Sequence, residues 1–138
     1  MDPLSAGDRL AIHDVINLHG HLMDGGEFDR LGELLTDDVA YDVTALGGGV
    51  MRGLDPIREA GLALGDRNPL GHHVTNVVVT DHGRDGDGDW ATAISKFIGV
   101  MTDGTSASGT YRDRLRRTAA GWRISQRAVV PRRRPLQP

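Results

Sequence analysis

The sequence predicts an α+β fold: a cone-shaped, curved antiparallel sheet packed on N-terminal helices, in the order α-α-β-α-β-β-β-β. Its N-terminal stretch carries apolar residues at three- and four-residue spacing. An Asp55-Pro56 pair then opens another helical segment, and from residue 72 onward β-branched runs alternate with Asp/Gly turns. Helices gathered early and strands gathered late segregate onto one face of an antiparallel sheet instead of alternating around a parallel one.

From Ser5 to Met23, Ile12, Val15, Ile16, Leu22 and Met23 recur at helical spacing, and His19 shares their stripe, so its ring points at the core. His21 sits roughly 200° further around the 3.6-residue period, so the two imidazoles cannot hold one ion. Asp24-Gly25-Gly26 ends the helix, because glycine accepts the left-handed geometry of a C-cap. Phe28, Leu31, Leu34 and Leu35 make a second short helix, and Asp37-Asp38 turns the chain into a strand, Val39 to Thr44. Tyr41 shares the inward face of that strand with Val39 and Val43. Gly47-Gly48-Gly49 is a loop without the strand, helix and lysine of a phosphate cradle. Asp55 is placed to cap a third helix, with Pro56 at its first position, running to about Ala63.

After Asn68-Pro69 the chain reads as four strands: His72 to Thr80, Trp90 to Met101, Ser106 to Thr118 and Trp122 to Val130. The connectors Asp85-Gly86-Asp87-Gly88-Asp89, Asp103-Gly104 and Ala120-Gly121 carry turn chemistry. Alternation puts Ala91, Ala93, Ser95, Phe97 and Gly99 on one face, small residues that leave room, and turns Lys96 outward, against a Schiff-base role. Tyr111, Asp113 and Leu115 point inward, while Thr110, Arg112, Arg114 and Arg116 share the other face. An inward Asp113 needs a proton or a partner such as a cross-strand arginine. Trp122 and Ile124 face the core, on separate beats from Arg123 and Arg127. His73 and Asn76, three apart, face opposite sides unless a bulge intervenes, so one of the two belongs to the pocket.

The 138 residues suit a single domain over 1–131, followed by a Pro-bounded basic tail, 132–138, with Arg132-Arg133-Arg134. Apolar content of 38% makes a modest core, and a homodimer through one sheet face is expected to supplement it. A net charge of −3 gives no footprint for nucleic acid. The absence of cysteine excludes disulfides, thiolate metal sites and thiol nucleophiles. No apolar run approaches the roughly 20 residues that cross a bilayer, and Met1-Asp2-Pro3-Leu4 lacks a secretion signal's pattern, so no membrane partner and a cytoplasmic location are expected. No metal is expected either. The Asp/Gly turn lacks the closing glutamate and flanking helices of a calcium loop, and His19, His21, His72 and His73 lack a third ligand at sensible spacing for zinc.

The chemistry concentrates in Gly71-His72-His73-Val74-Thr75-Asn76, which sets one or two imidazoles at the start of a strand, and in Asp24 at the end of the first helix. A carboxylate that orients an imidazole makes a proton-transfer pair that works near neutral pH. These segments, with Leu22-Met23-Asp24-Gly25-Gly26-Glu27-Phe28-Asp29-Arg30-Leu31, Leu34-Leu35-Thr36-Asp37-Asp38-Val39, Gly53-Leu54-Asp55-Pro56-Ile57 and Gly121-Trp122-Arg123-Ile124, carry a resemblance. Over residues 5 to 130 the chain resembles the SnoaL-like branch of the nuclear transport factor 2-like superfamily, which includes polyketide cyclases, dehydratases, isomerases, epoxide hydrolases and non-catalytic binders.

The resemblance to the scytalone dehydratase-like pattern implies that Asp24 orients His73 as the general base. It departs from that pattern at Ser95, where the family carries a second histidine, and at Met23, where it carries a tyrosine; His19 stands where many relatives have tyrosine. It implies a cofactor-independent dehydratase, cyclase or isomerase for a small, apolar, carbonyl-bearing natural-product-type substrate. His19, Tyr41, Ser95, Phe97, Tyr111, Asp113 and Asn76 are the candidate substrate-binding residues. A binding module with the same pocket, or an epoxide hydrolase built on Asp113, are the alternatives.

Overall fold

The computed structural model describes residues 4–136; Met1-Asp2-Pro3 and the last two residues of the basic tail lie outside the described residues. Helix α1 spans Ala6–Asp24, capped by Ser5, whose hydroxyl accepts from the Asp8 N–H. It ends at Gly25, and the left-handed residue is the next one, Gly26, at φ +66°. Phe28–Glu33 forms a 3-10 turn where a second α-helix was expected. Leu35 is drawn into the sheet opposite Ile124, which leaves too few residues for α-helical turns and favours the tighter i→i+3 pattern. Strand β1, Leu35–Asp42, therefore starts earlier than the sequence suggested, and a short β2, Val50–Arg52, that the sequence did not reveal pairs with it. Helix α2 spans Leu54–Leu64 with Gly53 at its N-cap; Asp55 lies inside the first turn and makes no capping hydrogen bond.

Strands β3 (Gly71–Asp85), β4 (Gly88–Val100), β5 (Ser106–Thr118) and β6 (Gly121–Arg132) form a meander, and the six-stranded sheet has the order β2-β1-β6-β5-β4-β3. The α+β class is as expected, with the sheet curved and unclosed. It is mixed, however, because β1 runs parallel to β6 while every other pair is antiparallel. The helical connection through α2 lets β1 lie beside β6 in the same direction, an arrangement that strand alternation alone does not reveal.

Two irregularities reset the alternation. In β3 the pairing slips between Thr75 and Val78, where Asn76 adopts φ 55°, the one non-glycine in the left-handed region among the described residues. His72 and Val74 before it, and Val77 and Val79 after it, all lie on the covered side. In β6 the extra residue Ser125 breaks register opposite Arg114/Leu115. Trp122 and Ile124 face the core as expected, but past the bulge so do Arg127 and Val129. A bulge shifts the side-chain beat by one, which is why Arg127 is buried where strict alternation placed it outside.

The core is built from Ile12, Ile16 and Leu22 of α1 against Leu34, Leu35, Val39, Leu115 and Ile124. The start of α1 is tied to the far end of the meander. The Asp8 carboxylate accepts from the Trp122 indole at 3.1 Å and from Arg117 at 2.7 Å. These bonds, the indole first and then Ser5, hold its pKa down at about 2. The depressed folded value means that this stabilisation is present above the ordinary carboxylate range and fades as pH falls from 3.8 toward 2. Asp8→Ala is expected to cost about 1–2 kcal/mol at neutral pH in urea unfolding, and to lose that difference as pH falls through about 2.

Candidate functional site

The site begins with a close approach. A Cβ on Gly20 would lie 2.4 Å from the His72 carbonyl oxygen, so only glycine lets α1 lie this near the start of β3. One turn further on, the Asp24 carboxylate accepts from the His72 backbone N–H at 3.0 Å and meets the His72 ring Nδ1 at 2.6 Å. A carboxylate on Nδ1 places the ring proton there and leaves the Nε2 lone pair free, and Nε2 makes no hydrogen bond among the described residues. The pair lines a cleft of about 440 Å³ with Asn17, His21, His73 and Val74.

The imidazole that Asp24 touches is therefore His72, and the assignment to His73 is corrected. Residues on successive positions of a strand face opposite ways, and it is His72 that faces α1. His73 is exposed on the rim of the same cleft, its ring lying over Gly71. Asn76 is also corrected: the bulge that it forms turns it to solvent beside His73 and Thr75. Of the two, only His73 borders the cleft, at its exposed rim and without a contact to Asp24.

Behind His72 lies a buried polar cluster. The His19 ring packs edge-on to His72 with centroids 5.6 Å apart and to Tyr111 at 5.4 Å. Its Nε2 is 3.2 Å from the Tyr41 hydroxyl. Tyr111 stacks on Phe97 at 4.6 Å, and the Arg127 guanidinium lies 3.9 Å from the Tyr111 ring centroid. Asp113 takes Arg127 side by side, Nε to Oδ1 at 2.7 Å and Nη2 to Oδ2 at 2.8 Å, with both side chains fully buried. Ser95 is buried opposite Tyr111 in the β4–β5 ladder. The structure thus brings Asp24, His19, Tyr41, Ser95, Phe97, Tyr111 and Asp113 to the covered side of the sheet. It adds His72 and Arg127, which the sequence reading missed. The His-His dipeptide was the signal for the first; for the second it was the need of an inward Asp113 for a cross-strand arginine, and the bulge in β6 hid which arginine that is.

Burial dominates the electrostatics. It pushes the Tyr41 phenol up, against the pull of Arg127, and raises Tyr111 together with the neighbouring Tyr41 hydroxyl. Both phenols stay protonated donors. Burial opposes the Arg127 charge, but Asp113 outweighs it and the guanidinium stays charged. His19 is held well below its ordinary value, first by burial and then by the charges of Arg127 and His72. The unfolded chain binds a proton near pH 6.5 that folded His19 refuses, so stability falls as pH drops below that value. His19→Gln is expected to remove a slope of up to about 1.4 kcal/mol per pH unit between pH 6.5 and 5, read from urea unfolding of both proteins. Gly20→Ala is expected to cost about 1–3 kcal/mol and to part Asp24 from His72, seen as loss of the low-field Nδ1 proton resonance.

A family model described as a SnoaL-like domain matches residues 5–128. No curated protein matches the chain. Among solved structures, Kfla4162 of Kribbella flavida is 27% identical with a TM-score of 0.75, over 91% of this chain and 90% of that one. A Novosphingobium aromaticivorans protein provisionally named an aromatic ring hydroxylase is 28% identical with a TM-score of 0.73, over 95% of this chain and 92% of that one. A protein of the same organism provisionally named a scytalone dehydratase is 16% identical with a TM-score of 0.71, covering 92% and 85%, a likeness of fold alone.

Proposed function

Because the chain belongs to the SnoaL-like domain family, we propose that it is a cofactor-independent acid/base enzyme: a dehydratase, cyclase or isomerase for a small, apolar, carbonyl-bearing molecule. The observation that carries this reading is the Asp24–His72 contact lining a cleft, with His19 packed on the buried side of His72 and the protonated Tyr41 and Tyr111 phenols beside His19. His72 Nε2 removes a proton alpha to the carbonyl, and Asp24 fixes the tautomer and faces the charge that forms on the ring. The Tyr111 hydroxyl, held protonated by burial, donates to the carbonyl oxygen as it gains charge. In a dehydration the same ring then hands its proton to the departing hydroxyl, which leaves as water.

The epoxide hydrolase reading is disfavoured, since both Asp113 oxygens are taken by Arg127 and neither is free to activate water. The non-catalytic reading keeps the pocket but needs no base. Val78, Ile94, Ile98 and Val130, exposed apolar residues, support a homodimer through the outer sheet face.

Hydrogen–deuterium exchange alpha to the carbonyl of α-tetralone, followed by proton NMR, tests the base. His72→Gln and Asp24→Asn are each expected to slow exchange by roughly 10²–10⁴-fold, whereas His73→Gln stays within a few-fold of wild type. Exchange that is no faster with the wild type than with Asp24→Asn returns the protein to the binding-module reading.

A further inference from the structure

Within the covered side of the sheet, His19 Nδ1, Ser95 Oγ and Arg127 Nη1 are buried with no hydrogen-bond partner among the described protein atoms. A buried donor left unmade costs more than a typical hydrogen bond gains, so an orphan of this kind calls for an explanation. Here the orphans are grouped around one ring. Arg127 lies on Tyr111, Ser95 is its direct cross-strand partner, and His19 packs against it edge-on.

Their donor character follows from their neighbours. Arg127 spends Nε and Nη2 on Asp113, which leaves Nη1 as the outer edge of a paired guanidinium. Tyr41 is the register partner of Arg127 across β1 and β6, and guanidinium has no acceptor, so the phenol turns its lone pairs to Arg127 and its O–H to His19 Nε2. That bond puts the His19 proton on Nδ1, the atom without a partner. The Ser95 hydroxyl rotates to donate where an acceptor is offered. All of these orphans can then donate, and among them only Ser95 can also accept.

The site is not a simple anion trap. Asp113 already cancels the Arg127 charge, so what holds a bound anion is the aimed N–H and O–H donors and not a net positive charge. What a neutral, water-poor set of fixed donors favours is an oxygen that becomes negative in place.

We propose that Arg127 Nη1, Ser95 Oγ and His19 Nδ1 form the donor set for one substrate oxygen, a carbonyl that turns to enolate or an acidic phenol. This takes from the proposed function only that the interior receives a carbonyl compound, not that His72 is the base. It makes Arg127 a substrate-contacting residue and narrows the substrate to molecules whose buried end is an enolisable ketone or a phenol, with no carboxylate there.

The probe is 4-nitrophenol, whose phenolate has its own yellow absorption band, titrated with protein at a pH where the free phenol is half ionised. Binding to wild type is expected to strengthen the phenolate band. Ser95→Ala, a mild change, weakens 4-nitrophenol binding about tenfold. Arg127→Lys, which keeps a cation for Asp113 but removes Nη1, diminishes the shift, with circular dichroism as the check on folding. Neutral 4-nitroanisole, which carries a methyl in place of the proton, binds more weakly than 4-nitrophenol. No change in the band on wild type, or equal binding by wild type and Ser95→Ala, overturns the proposal. Asp24→Asn is expected to keep the band intact. Tetralone exchange by wild type with no band therefore sinks the donor set alone, and a band without exchange sinks the base alone.

Discussion

A guanidinium and a carboxylate, taken out of water together on facing strands, set the polarity of everything around them. Arg127 and Asp113 are cross-strand partners, fully buried and joined by two hydrogen bonds. Separating either from the other would leave an uncompensated charge in the interior, a loss of about 3–5 kcal/mol, so the pair holds β5 and β6 in one register as firmly as the apolar side chains do. Its influence extends outward in steps. The cation lies on the Tyr111 ring and pairs in register with Tyr41, Tyr41 meets His19, and His19 packs against His72. The chain of contacts runs from the sheet centre to the cleft.

The cleft end depends on a different constraint, the distance between a helix and an edge strand. α1 reaches β3 closely because residue 20 has no side chain, and Asp24 then bonds both the main chain and the ring of His72. One carboxylate thus does two things: it ends the helix against the sheet, and it chooses which ring nitrogen keeps the proton. The opposite end of α1 is anchored by Asp8 on Trp122 and Arg117, so the helix is held at both termini. A rigid helix between two polar anchors is what a placed base requires.

Much of this was legible in the residues. The stripe of α1, the inward faces of β4 and β5, the inward Tyr41 and the α+β class all follow from period and alternation. What escaped was set by pairing between distant segments. The parallel β1–β6 contact and the three-residue β2 depend on where the chain returns, not on local pattern. The bulges at Asn76 and Ser125 each insert one residue and reverse the beat, which turned Asn76 outward and Arg127 inward. His72 and His73 are chemically identical in sequence, and only the approach of α1 distinguishes them. The family resemblance pointed to the second; the hydrogen bonds select the first.

The same irregular β3 has a bearing on how the protein behaves among its own copies. It is the last strand of an open sheet and the longest, with fifteen residues, and among the described residues no strand pairs with its outer side. A straight, regular ribbon of that length would invite a second chain to add itself, the first step toward fibrillar aggregation. The slip at Thr75–Val78 and the second one at Val79–Asp81 break the run into short lengths with mismatched spacing. A kink that keeps Val77 and Val79 on the covered side therefore also spoils the template for edge-on growth.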